Sequence, residues 1–237
     1  MFVYRNMKTH FKFSILVLIC FFALSTNSCK KKKVDSPKMY TNYFGLTEGR
    51  YVIYDVQEMF HDVAVSPQHD TNFYQLKTVI GNEITDNQGR IVREFKRYKR
   101  NKSTDQWVIS DLWTAVIENN KAELVEENQR IIKLVFAPTS DKKWNPNAFN
   151  MMDSLNYFYS NIHSPYSLSN LSFDSTVTVS KDKFFSLIDY KIDHYKYAAN
   201  IGLVSKTYKD LTIANFDTLD VRKGSEIHYK CIGYGFE

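Results

Sequence analysis

Histidine and cysteine are the residues of this 237-residue chain best suited to metal or covalent chemistry, and their spacing limits what they can do. His61-Asp62 and His69-Asp70 flank a loop containing Pro67 and come nearest to a ligand set. A zinc site takes four donors at close helical or hairpin spacing. No HExxH or CxxC occurs and no third donor lies nearby, so no metal is expected. The segment Ile188-Asp189-Tyr190-Lys191-Ile192-Asp193-His194 offers an acid–base pair, because alternation along a strand puts Asp189 and Asp193 on one face. Four residues of extended chain separate them by about 13 Å, beyond the roughly 5–9 Å used by glycosidase carboxylates. They are expected on an outward polar face. There is no Gly-x-Ser-x-Gly elbow, and no cysteine stands in a Cys–His motif. Eight glycines leave little material for a phosphate cradle. These features point away from an enzyme and imply no cofactor.

Binding chemistry is better represented. Trp107, Trp113, Trp144, Tyr157 and Tyr159, with Phe158, Tyr190, Tyr195 and Tyr197, can line an apolar cavity or a sugar-stacking face. Large aromatics equally fill a sheet core, and both readings stay open. The run Lys96-Arg97-Tyr98-Lys99-Arg100 is the sharpest charged feature. Lys96, Arg97, Lys99 and Arg100 form either an anion patch for a headgroup or acidic glycan, or the guard that keeps a strand edge from pairing.

The elements that must position these residues read as strands. Period-2 alternation returns along the chain, and almost nowhere does a helical stripe persist. Strands are expected over 50–57, 73–84, 91–100, 107–113, 122–125, 130–136, 175–180, 186–197, 202–214 and 226–236. Short polar turns such as Asp86-Asn87-Gln88-Gly89 and Glu118-Asn119-Asn120-Lys121 separate the earlier ones. Residues 137–150 read as a long loop, and 151–159 as either helical turns or a strand. The fold class is all-β and mainly antiparallel, with nine or ten strands. It is a single curled meander sheet or partly open barrel over residues 42–237, with at most short helices.

The N-terminus is an address. Arg5, Lys8 and Lys12 precede a twelve-residue apolar core, Phe13–Leu24, too short for the roughly 20 residues of a membrane helix. Ser25 to Ser28 then lead to Cys29. A small residue followed by Cys at this place resembles a lipobox, with Thr26 standing where leucine is common. Residues 1–28 are therefore expected to be a lipoprotein signal peptide. Residues 29–41 would then be a lipidated Cys29 with a lysine-rich tether. Without the signal, Lys30–Lys33 and Asp35, the chain carries 24 basic and 25 acidic residues. The basic excess thus belongs to the ends of the address, and no nucleic-acid partner is expected. With Cys29 acylated and Cys20 removed, Cys231 remains as a lone thiol on a strand and is expected in the core. Asp153-Ser154-Leu155, Asp174-Ser175-Thr176 and Asp217-Thr218-Leu219 resemble bacterial O-glycosylation acceptors.

Three segments carry a further resemblance: Tyr43-Phe44-Gly45-Leu46-Thr47-Glu48-Gly49-Arg50-Tyr51, Trp144-Asn145-Pro146-Asn147-Ala148-Phe149-Asn150, and Ile201-Gly202-Leu203-Val204. With Cys29, they look like uncharacterised Bacteroidetes-type lipoproteins. That resemblance implies an antiparallel, partly closed sheet and transfers no activity. In related lipoproteins an acidic cluster after the Cys directs export to the cell surface, and Lys30–Lys33 stand there instead, so an outer-membrane lipoprotein on the periplasmic side is expected. The expected partners are the membrane through Cys29, a lipid or other apolar ligand, and an envelope protein. The expected role is non-enzymatic binding, with an accessory subunit of an outer-membrane complex, or a hydrolase of unrecognised site, as alternatives.

Overall fold

The computed structural model describes residues 37–237; the signal segment, Cys29 and residues 30–36 of the tether lie outside them. The described chain is almost all strand, as the alternation predicts. A 3-10 turn, Thr41–Phe44, precedes β1 (Arg50–Asp62), β2 (His69–Thr85), β3 (Ile91–Arg100), β4 (Val108–Glu118), β5 (Lys121–Glu126) and β6 (Gln129–Val135). The second half holds β7 (Lys143–Trp144), β8 (Tyr157–Leu168), β9 (Leu171–Lys181), β10 (Phe184–Phe185), β11 (Asp189–Ala198), β12 (Gly202–Ala214) and β13 (Asp217–Phe236).

All thirteen join one antiparallel sheet in the order β6-β5-β4-β3-β2-β1-β13-β12-β11-β9-β8-β7, with β10 added to β11. Two meanders therefore meet where the first strand pairs the last. The sheet curls into a nearly closed barrel with one seam, between β6 and the β7–β8 end. Side chains and loop backbone bridge that seam. The Tyr159 hydroxyl donates to the Val135 carbonyl (3.0 Å) and accepts from its N–H (2.8 Å). The Trp144 indole donates to the Ile132 carbonyl at 3.1 Å, and the Ile132 N–H reaches the Pro146 carbonyl at 2.9 Å.

Turn chemistry explains the short connections. Asn119-Asn120, Glu127-Asn128 and Asn215-Phe216 each have both φ angles positive, the condition for the two-residue hairpin turns whose twist matches the strands. Gly89 has φ of 76° and its N–H closes the turn to the Asp86 carbonyl at 2.9 Å.

The strand count exceeds the expected nine or ten for physical reasons. β8 begins only at Tyr157, after a loop at 151–156, and its alternation is broken by Asn161 and His163 at positive φ and by two register shifts. β13 runs twenty residues, its first half too polar to read as a strand.

The core lies inside the barrel in two halves. One gathers Tyr43, Leu134, Phe136, Tyr157, Tyr159 and Val179; the other gathers Val52, Tyr54, Val56, Leu76, Val204 and Cys231. The 3-10 turn inserts Tyr43, 1% exposed, whose hydroxyl is 2.6 Å from both His163 Nδ1 and Ser175 Oγ. Gly45 follows at φ 63°, where a Cβ would stand 2.4 Å from the Ile201 carbonyl oxygen. The conspicuous Tyr43-Phe44-Gly45 and Ile201-Gly202 segments thus serve close backbone packing.

A candidate ligand cavity inside the barrel

Between the core halves lies a cavity of about 200 Å³. Phe44, Leu124 and Tyr197 line it from one half, and Val52, Tyr54 and Leu76 from the other. Alternation places them there: Val52 with Tyr54, Leu76 with Thr78 and Leu124 with Glu126 are i, i+2 pairs sharing the inner face. Phe95 on β3 stands opposite Trp113 on β4, and their rings stack at 6.3 Å and 17°. This is a favourable aromatic spacing, and it puts two broad apolar surfaces on one wall.

Charged side chains also enter the cavity: Arg50, Arg97, Lys133 and Lys206 with the single carboxylate of Glu126. Arg97 lies 4.1 Å from the Trp113 ring, donates to Asp111 Oδ2 at 2.9 Å and reaches the Tyr229 hydroxyl at 3.2 Å. Lys133 is ion-paired with Glu126. Burial raises the Glu126 pKa, but Lys133 outweighs it by charge and hydrogen bond, so the carboxylate is held below its ordinary value and stays ionised.

Arg50 packs 3.9 Å over Phe236, and its buried Nε has no hydrogen-bond partner. Lys206 stands opposite Tyr195 on one side and Tyr229 on the other. Its ammonium lies 5.7, 5.8 and 5.3 Å from the Tyr195, Tyr208 and Tyr229 ring centres. Among the described residues it has neither ion pair nor hydrogen bond. Burial, and then the charge of Lys133, hold the Lys206 pKa below its ordinary value.

Of the aromatics singled out from sequence, Trp113, Tyr195 and Tyr197 line this cavity. Tyr157 and Tyr159 are buried in the first core half with Trp144 packed against them, and Trp107 lies outside under Arg100, 4.2 Å from its guanidinium. The basic run divides. Arg97 turns inward, whereas Lys96 pairs with Glu94 at 2.9 Å, Lys99 lies 3.8 Å over Tyr74, and Arg100 donates to Gln75 at 2.8 Å.

Asp193 is a correction. It is not on an outward polar face but 4% exposed, accepting from Tyr157 (2.6 Å) and Tyr195 (3.1 Å), because β11 turns Asp193, Tyr195 and Tyr197 toward the interior. His194 points away from it and is exposed, 2.6 Å from Ser180 Oγ. Cys231 is fully buried, and burial pushes its thiol up to about 11, which makes it inert as a nucleophile.

His61 and His69 do face each other, with Nδ1 atoms 2.9 Å apart. His61 also approaches Glu226 at 3.5 Å, and Glu226 is paired with Lys209 (2.6 Å) and His228 (3.3 Å). Among the described residues no three His, Cys, Asp or Glu side chains are arranged to hold a metal. Ser154 and Thr218 are exposed, while Ser175 is held by Tyr43.

Sequence reasoning missed Arg50, Glu126, Lys133 and Lys206. The available signal was phase: Lys206 lies two residues from Val204, which is fully buried, and so shares its inward face. Compared with known proteins, the chain matches no family model, no curated protein and no solved structure.

Proposed function

We propose that this chain is an envelope lipoprotein, held to the outer membrane through an acylated Cys29 with its domain on the periplasmic side. Its barrel is a non-enzymatic binder of a small apolar molecule. The observation that supports the binding role is the cavity between the core halves, walled by Phe44, Tyr54, Phe95, Trp113 and Tyr197. A natural core is packed to crystal-like density with few voids larger than a water molecule, so about 200 Å³ of internal space is a departure that a ligand accounts for.

Size narrows the ligand. An apolar cavity of roughly 150 Å³ admits benzene, and drug-sized pockets run from about 300 Å³ upward. The space suits one ring or one short alkyl chain, not a diacyl lipid. The run up to Cys29 and the resemblance to Bacteroidetes-type lipoproteins support the anchoring.

Native mass spectrometry of the full chain, purified without detergent and then extracted with organic solvent, tests the binding role. A small molecule released in one-to-one ratio is expected. Protein at its calculated mass, together with no thermal stabilisation by small apolar compounds, would overturn it. Radiolabelled palmitate incorporation that persists in Cys29→Ser would overturn the anchoring.

A further inference from the structure

We propose that the molecule bound in this cavity is an organic monoanion, a carboxylate on one short apolar body, with its charged end held by Lys206. This rests on reading the cavity as a binding site and adds the chemistry of its ligand.

The distribution of charge is the starting point. Residues outside the address are close to electrically balanced, yet the cavity collects four cationic side chains against one carboxylate. Burying a cation without a partner is costly, so a surplus inside the barrel is not what packing alone selects. Internal pairing accounts for part of it: Arg97 is satisfied by Asp111, and Lys133 by Glu126. Arg50 and Lys206 are left without an anionic partner. Arg50 lies against the Phe236 ring at the end of the β1–β13 pairing with its Nε unpartnered, and Lys206 is the one whose ammonium stands among the cavity's tyrosines.

The surroundings of Lys206 are those of a receptor for a negative charge. Tyr195, Tyr208 and Tyr229 turn ring faces toward its ammonium, which attract the cation without taking up its N–H donors, so those donors stay free for an anion. The Tyr195 hydroxyl is committed to Asp193, and the Tyr229 hydroxyl to Arg97. Lys133 lies 5.8 Å from the same Tyr195 ring that Lys206 approaches at 5.7 Å, so two ammoniums flank one ring and repel. A carboxylate on Lys206 offsets that repulsion with a charge-assisted hydrogen bond. The Phe95–Trp113 stack and the Val52, Tyr54 and Leu76 wall supply the apolar half of the site. With one ammonium unpaired, one negative charge is the complement.

Calorimetric titration of the full chain with sodium octanoate, octan-1-ol, octylammonium and inorganic phosphate at neutral pH and low salt separates the parts of this proposal. Benzoate and benzyl alcohol repeat the comparison with an aryl body. The carboxylates are expected to bind about tenfold tighter than the matching alcohols, the increment of a hydrogen bond to a charged group. Octylammonium and phosphate are expected to bind weakly or not at all. Lys206→Met, which keeps the length and apolar character of the side chain, is expected to remove the carboxylate preference, read as the ratio of carboxylate to alcohol affinity falling to about one.

Equal affinity for acid and alcohol in the unaltered chain would overturn the anionic end while leaving the cavity a binding site. So would a preference that survives in Lys206→Met. Phosphate binding as tightly as octanoate would overturn the apolar body. If none of these compounds binds, the reading of the cavity as a ligand site falls with it.

Discussion

At the scale of single residues, Lys206 is where the fold departs furthest from what stability alone requires. Burial acts first and Lys133 second to hold its pKa below the ordinary 10.5. Tyr195, Tyr208 and Tyr229 face it, with Lys133, Glu126, Asp193 and Arg97 as the charges it feels. A lysine whose folded pKa is lowered binds its proton more tightly when unfolded. Its protonation therefore favours the unfolded state below the folded pKa, and that penalty lifts as pH rises toward 10.5. Lys206→Met removes the penalty. The variant is expected to be more stable by roughly 1–3 kcal/mol at pH 7, the size of an unsatisfied buried polar group, and the gap should shrink between pH 7 and 10.5. Urea midpoints across that range measure it. A variant less stable than the parent at pH 7, or a gap that widens with pH, would contradict the assignment of Lys206 as an unpaired interior cation.

Elements show where the sequence was readable and where it was not. β1 was legible because Val52, Tyr54 and Val56 mark one buried face by simple alternation. β8 was not, because Asn161 and His163 at positive φ break its period, and a local pattern cannot report a register set by the neighbouring β9. The cavity was legible only in part: Trp113 stood out by type, but Arg97 and Lys206 look like solvated residues until their phase is compared with Phe95 and Val204. Asp193 was misread for the same reason, its charge outweighing its position. The seam depends on an element that no periodicity could announce, the Tyr159 hydroxyl joined to both the N–H and the carbonyl of Val135. Tyr159→Phe keeps the ring in the core and removes both bonds, leaving the Val135 groups unpaired across the seam. It should cost about 1–3 kcal/mol, read as a lower thermal midpoint. A loss well below 1 kcal/mol would mean that Trp144 and Pro146 close the seam without it.

For the whole molecule, the order of strands makes the barrel mechanically unequal around its circumference. β1 and β13 stand midway along the strand order, so the junction of the two meanders is the part of the sheet farthest from either end. β6 has a full strand partner only in β5, and β7 contributes two residues. Leu124, Glu126 and Lys133 belong to the β5–β6 arm, so parting the seam would move one wall of the cavity away from the rest. Such an opening gives a ligand a route inward without unfolding the β1–β13 junction. Local opening of this kind is read by native-state amide exchange, which reports the free energy of each unit separately. β6 amides are expected to exchange at least about tenfold faster than those of β1 and β13. A ligand that fills the cavity binds the closed form preferentially. Octanoate at about 100 times its Kd should therefore slow β6 exchange by up to roughly 100-fold, and the exchange of β1 and β13 through global unfolding by the same factor. Were β6 as protected as β1 without ligand, the seam would not be the weak side of the barrel, and entry would have to pass one of its ends, where Phe44 and Gly45 stand against Ile201 and Gly202.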